Sequence, residues 1–225
     1  MRLGIISDVH SNMPALSAIL DFLRKEKADR IIHAGDVVGY NPFPNEVIDA
    51  FITNPVLSIS GNHDRGVISG DIRFFNDAAA EAVLWTRREL KNDGRDYLSN
   101  LKTRERISVD GKTIAVIHGS PFNDDEYIFR DDANEKLLDE AAADILVLGH
   151  THVPYVRKLE NGLIVNPGSV GQPRDGDWRA SCMVLDISGG NAEIFRLEYP
   201  VEETQKEIRK ASLPEMLAER LKTGR

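Results

Sequence analysis

The chain has 225 residues, 41% hydrophobic and 28% charged, with a formal net charge of −8 and a pI near 5.3. That composition belongs to an ordinary globular protein long enough to bury one large core, and its acidic balance speaks against a broad basic surface for a long nucleic-acid strand. A single cysteine, Cys182, excludes an internal disulfide framework and fits a reducing cytoplasm.

The opening MRLGIISDVHS carries no signal-peptide core. No later apolar stretch approaches the roughly 20 residues of a membrane span. The expectation is a soluble cytoplasmic protein with no membrane partner, folded as one domain over 1–225. In chain order, Leu3 to Ile6 reads as a buried strand. Ala15 to Lys27 then carries Leu16, Ile19, Leu20 and Leu23 at helical spacing, with Asn12 and Pro14 as start signals. Strands at Ile31 to Ala34 and Val56 to Ile59, with a helix between them, complete a strand-helix-strand-helix-strand run over the first 64 residues.

From about 67 to 102 the pattern turns helical, broken by the turn signal Asn92-Asp93-Gly94. This stretch is either a helical cap over a site or ordinary helices packed on the sheet edge, with Phe74, Phe75 and Trp85 the positions to watch. Arg106 to Val109 and Thr113 to Ile117 read as a hairpin around Asp110-Gly111. A helix near Asn134 to Ala143 leads into a strand at Ile145 to Leu148. Further hairpins turn at Asn161-Gly162 and Gly189-Gly190, so a parallel first half is followed by an antiparallel-rich second half, and two sheets are expected. Val201 to Arg225 reads as a terminal helix interrupted near Pro214, packed on the body or, alternatively, on a second copy.

Residues of ligand-forming types stand just after five of these strands: Asp8 and His10, Asp36, Asn62, His118, and His150 with His152. Strand ends are where open α/β sheets bind ligands, so five such clusters are expected to converge. A lone Gly-Asp or histidine here would be a turn or a structural residue. Five strand ends together point to a metal-dependent enzyme. Imidazole suits manganese, iron, zinc, nickel or copper better than magnesium or calcium. The cofactor expected is two divalent transition-metal ions, taken as manganese, with iron, nickel, zinc or magnesium as alternatives.

These blocks, Asp8 to His10, Gly35-Asp36, Gly61 to Asp64, His118-Gly119 and Gly149 to His152, resemble in order and spacing the calcineurin-like metallophosphoesterase family, over at least Leu3 to Val170. Gly35 to Pro42 with Pro44-Asn45-Glu46, and Asn166 to Arg174, look like its small prokaryotic phosphodiesterase branch. The resemblance implies an α/β fold, a two-sheet mixed sandwich flanked by helices in four αββα layers. It implies two divalent cations, one on Asp8, His10, Asp36 and His152, the other on Asp36, Asn62, His118 and His150, with Asp36 as bridge.

The implied reaction is hydrolysis of small phosphodiesters or nucleotides by water that the metals activate. His63, free of metal in that pattern, would protonate the leaving oxygen or hold the phosphate, oriented by Asp64 or Asp8. Arg65 and Arg174 are candidate phosphate contacts, Asn166 and Tyr40 candidate entrance residues, and Tyr40 a stacking surface for a base. Arg130 and Arg179 read as surface residues, and His33 as a core histidine. The alternatives are a phosphomonoesterase or phosphoprotein phosphatase, a dinucleoside polyphosphate hydrolase, and a scaffold that kept the fold without the chemistry.

Overall fold

The computed structural model covers residues 1–225. Chain order begins β1 (Arg2–Ile6), α1 (Met13–Lys25), β2 (Arg30–His33), α2 (Pro44–Thr53) and β3 (Val56–Ser58), followed by α3 (Asn62–Ser69), α4 (Asp77–Glu89) and α5 (Asn92–Ser99). Next come β4 (Arg104–Val109), β5 (Lys112–Ile117), α6 (Glu135–Ala141), β6 (Ile145–Val147), β7 (Tyr155–Lys158) and β8 (Leu163–Asn166). The chain closes with β9 (Ala180–Asp186), β10 (Asn191–Leu197), α7 (Val201–Lys210) and α8 (Glu215–Arg220).

Two five-stranded sheets result, ordered β10-β9-β1-β2-β3 and β4-β5-β6-β8-β7. In the first, β1, β2 and β3 run parallel and β9 joins β1 antiparallel. In the second, β5, β6 and β8 run parallel, with β4 and β7 antiparallel at the edges. The expected two-sheet sandwich flanked by helices is therefore present.

Side-chain alternation with a period of two decides which face each strand buries. Leu3 and Ile5 of β1 meet Ile114, Val116, Ile145, Val147 and Val165 of the other sheet between the layers. Ile6, Cys182 and Val184 face outward onto Leu16, Ile19 and Leu23 of α1. On the far side, Ala115, Ile117, Leu146 and Ile164 pack on Leu137, Leu138 and Ala141 of α6. Each fully buried Leu or Ile contributes about 1.5–3 kcal/mol, so three stacked interfaces secure the layering.

Helix α1 starts where its chemistry directs. The Asn12 side chain accepts the backbone N–H of Ala15, and Pro14 occupies the first turn. Asn12 also donates to Gly171 and Tyr199 and accepts from Thr204, which ties α7 to the end of β1.

The Asn92-Asp93-Gly94 turn signal is overturned: these residues open α5, and the break falls at Leu90-Lys91. A Cβ on Gly94 would lie 2.6 Å from a Leu90 methyl and 3.2 Å from one of Ile48, so this glycine serves close helix packing. Between 67 and 102, Ala79, Ala82, Val83 and Leu98 join the core on the helical side of the first sheet, and the loop between α3 and α4 stands beside the strand ends.

Candidate metal centre

Parallel strands put their carboxyl ends on one edge, and both sheets present that edge to the same point. Asp8 and His10 follow β1, Asp36 follows β2, Asn62 opens α3 after β3, His118 follows β5, and His150 and His152 follow β6. All of these except Asn62 are buried. Asp8, His10, Asp36, His150 and His152 take positive φ, between 48° and 65°, which for such residues costs about 1 kcal/mol or more each. Backbone bonds hold the bends in place: Asp8 N–H donates to Gly35 O (2.9 Å), His10 N–H to Asp36 O (3.0 Å) and Gly171 N–H to Asp8 O (3.0 Å).

The seven expected ligands come together. His10 Nε2 lies 3.1 Å from His152 Nε2, 3.8 Å from Asp8 Oδ1 and 3.6 Å from Asp36 Oδ2. His118 Nε2 lies 3.3 Å from Asp36 Oδ2 and 3.1 Å from Asn62 Oδ1, and the His118 and His150 rings are 4.8 Å apart. Asp36 thus stands between an Asp8–His10–His152 group and a His118–His150 group.

The outer nitrogens are committed. His10 Nδ1 donates to Val38 O (3.2 Å), His118 Nδ1 to Ala34 O (2.8 Å) and His152 Nδ1 to Gln172 O (2.5 Å). His150 is reversed: its Nε2 donates to Asp125 O (3.1 Å), leaving Nδ1 as the free donor atom.

These residues fit divalent cations. With their Nδ1 protons placed outward, neutral His10 and His152 turn two Nε2 lone pairs toward each other at 3.1 Å, an arrangement that a cation between them would relieve. Asp8 Oδ1 and Asp36 Oδ2 are buried without a hydrogen-bond partner and face the same nitrogens, while their sister oxygens are bound by His150 N–H (3.1 Å) and His63 N–H (2.8 Å). Burial holds His10 and His152 below the usual imidazole range and His150 at about 3, so all three are neutral at pH 7, as ligation requires. Burial opposes a charge on His118 too, but Asp36 overrides it and raises that ring to about 9. Burial alone would raise Asp8 and Asp36, yet His152 beside the first and His118 beside the second hold both well below the carboxylate range.

His63 lies under the cluster, its ring 4.7 Å from His10 and 4.4 Å from Tyr40, with Nδ1 unpartnered. Burial lowers it to about 4. Neither Asp64 nor Asp8 orients it, contrary to expectation. Asp64 accepts the backbone N–H of Gly61, Asp36, Val37 and Val38, and Asp8 faces His152. The reason is local: Asp64 sits at the third position of α3, where its carboxylate satisfies free N–H groups of its own helix start and of the Asp36 bend.

Of the two entrance residues, Asn166 is corrected, while Tyr40 lines the pocket at the metal centre but is not a stacking surface. Asn166 is fully buried and uses its whole amide on the Gly149–Thr151 turn and on Gly168 N–H, so it shapes the loop that carries His150 and His152. Tyr40 is 4% exposed, packed by His10 and His63 with Arg174 and Arg220 each 5.8 Å from its ring, and leaves no face for a base.

Arg174 donates to Tyr40 Oη (3.1 Å) and Gln172 Oε1 (3.2 Å) beside His63. Arg65 reaches the outer cleft, paired with Asp125. His33 is a core residue, 2.8 Å from Ser58 Oγ and edge-on to Phe51. Sequence reasoning missed Tyr127, which stacks on His150 at 4.0 Å, Asp125, and Arg220 of α8. They lie on irregular loops or the terminal helix, where no periodicity or motif marks them.

A two-sheet αββα sandwich whose strand ends gather histidines and carboxylates defines a metallophosphoesterase. The calcineurin-like phosphoesterase superfamily domain matches residues 1–190, and the chain belongs to that family, as a metal-dependent phosphoric ester hydrolase. It is 35% identical to the uncharacterized protein MJ0912 of Methanocaldococcus jannaschii over 99% of this chain and 98% of that protein. It is 25% identical to the phosphodiesterase YfcE of Escherichia coli K12, over 83% of this chain and 88% of that one. Among solved structures, a metallophosphoesterase from Sphaerobacter thermophilus is similar with a TM-score of 0.86 and 35% identity, covering 100% of this chain and 99% of that one. No helix is long and apolar enough to cross a membrane.

Proposed function

We propose that this chain is a binuclear phosphodiesterase that hydrolyses small phosphodiesters with metal-activated water. The observation that carries the reading is Asp36, whose unpartnered Oδ2 lies 3.6 Å from His10 Nε2 and 3.3 Å from His118 Nε2, as a bridging carboxylate would. Asp8, His10, Asp36 and His152 would hold one cation and Asp36, Asn62, His118 and His150 the other; the mixed nitrogen and oxygen donors admit manganese, iron, nickel, zinc or magnesium, and manganese is the metal we propose. Two such cations supply an acidified water and draw charge from the phosphate oxygens.

The chain's own residues do the rest. His63, neutral at pH 7, offers an N–H to a phosphate oxygen and stabilises the charge that develops there. Tyr40 and Gln172 steady the Arg174 guanidinium beside it. The loop between α3 and α4 caps the approach, while α4 and α5 belong to the body of a single domain. Charge favours a diester over a monoester. Arg65 is already paired with Asp125, Asp71 lines the same cleft, and a monoanionic diester needs less cationic compensation than a dianionic monoester.

The test is hydrolysis of bis-p-nitrophenyl phosphate beside p-nitrophenyl phosphate by metal-stripped protein, with manganese, nickel, magnesium or zinc restored singly. Diester preference is expected, and a monoester preference would make the protein a phosphatase.

A further inference from the structure

A cleft of about 370 Å³ opens from the metal centre at Asn62 and His150, so a substituent on a phosphate held there emerges into it. Phe74 and Phe75 form one wall and Tyr127 another. The inner face of Tyr127 lies on His150 at 4.0 Å and 29°, and the side chain is half-exposed at the cleft. Phe74 is 94% exposed, a phenyl ring left in water at the rim. It is held there because the next residue, Phe75, is anchored edge-on to His63 (4.8 Å). The Arg73 guanidinium lies 5.8 Å from the Phe74 ring, and this aromatic ring exposed beside the metal centre has no aromatic partner.

The charges narrow what that partner is. Asp71 and Asp125 line the cleft, and its one arginine, Arg65, is bound to Asp125. No unpaired cation there would receive a second or third phosphate, which disfavours a polyphosphate chain. Asp71 is in turn bound by Arg73, so both carboxylates are paired, the cleft carries little free charge, and a neutral planar group suits its aromatic walls. The volume lies at the lower end of small-molecule sites, enough for one nucleoside.

We propose that this cleft is a nucleoside subsite, in which Phe74 and Tyr127 grip the base of a nucleotide phosphodiester. The proposal rests on the phosphodiesterase reading and names its substrate class. Stacking a base on an aromatic side chain is worth roughly fivefold to a hundredfold in affinity.

The test compares adenosine 2′,3′-cyclic phosphate with the base-free methyl riboside 2′,3′-cyclic phosphate on the metal-loaded protein. Adenosine 3′-monophosphate binding is measured by calorimetry alongside. The base should raise kcat/KM at least tenfold, chiefly through KM. Phe74→Ala, a change at a solvent-exposed position, should cut that ratio and the nucleotide affinity at least fivefold, and Phe74→Trp should restore both. Equal kcat/KM on the two cyclic esters, or nucleotide binding indifferent to Phe74→Ala, overturns the subsite. If neither ester is hydrolysed while binding still depends on Phe74, the diesterase reading falls and the subsite stands.

Discussion

Asp64 fixes Asp36 through the backbone: its Oδ2 accepts the N–H of Asp36 at 3.0 Å, of Val37 at 3.2 Å and of Gly61 at 3.0 Å, and its Oδ1 that of Val38 at 3.0 Å. Burial and the Asp36 charge push this carboxyl upward, and the N–H bonds pull it back. Asp64→Asn would turn an amide N–H₂ against at least one backbone donor. We expect metal affinity to fall about 10- to 100-fold, as for other groups that orient a ligand. Metal content after dialysis, read beside the thermal midpoint, checks this; full retention would show that the Asp36 bend holds itself.

His63→Asn should keep the bound metal and lose turnover by a factor of about 10²–10³, the usual cost of one donor to a developing oxyanion. Plasma emission for metal and kcat on the diester substrate are the two readouts. Equal loss of both would make His63 a ligand, consistent with its closeness to His10 and Asp36.

At Gly61, an added Cβ would sit 2.1 Å from Asp36 Oδ1 and 2.6 Å from Asp36 N, neither of which has room to retreat. Gly61→Ala should therefore destabilise the fold by about 1–3 kcal/mol and displace the bridging carboxylate. A urea titration with a metal-binding assay tests both; an unaltered variant would mean that the Asp36 bend yields freely.

His33, outside the ligand set but within reach of the Asp8, His118 and Asp36 charges, gives a pH signature of its own. Burial lowers it from 6.5 to about 3, so between those values the unfolded chain takes a proton that the native chain refuses. Its contribution is constant above the unfolded pKa and is lost as pH falls, at up to about 1.4 kcal/mol per pH unit. His33→Asn, which retains a polar partner for Ser58, should flatten the fall in urea midpoint between pH 6.5 and pH 4. Parallel curves for parent and variant would remove His33 from the account.

The strands, their hairpins and the strand-end ligands were legible because β1, β5 and β9 are short apolar runs buried almost end to end, and because Asp8, Asp36 and Asn62 recur at the spacing of strand-helix units. Asn92-Asp93-Gly94 misled because the packing of Gly94 against Leu90 overrode turn chemistry. Asn166 was assigned to the entrance from its neighbourhood in the chain, but a buried amide must satisfy all its polar atoms, and Asn166 does so on the Gly149–Thr151 turn and on Gly168 N–H. Arg220 comes from a helix beyond the family match at 1–190, and only tertiary packing brings it to Tyr40.

The candidate ligands are divided between the sheets: Asp8, His10, Asp36 and Asn62 hang from one, His118, His150 and His152 from the other. Each cation in the proposed arrangement would take donors from both, and so rivet two layers that are otherwise joined chiefly by apolar contact. A chain with one cysteine has no disulfide for that task. Cross-links between positions so distant in sequence restrict the unfolded chain strongly. Metal occupancy would then govern how readily the sandwich parts, and a cell that starves the protein of metal would lose the molecule to unfolding and proteolysis as well as its activity.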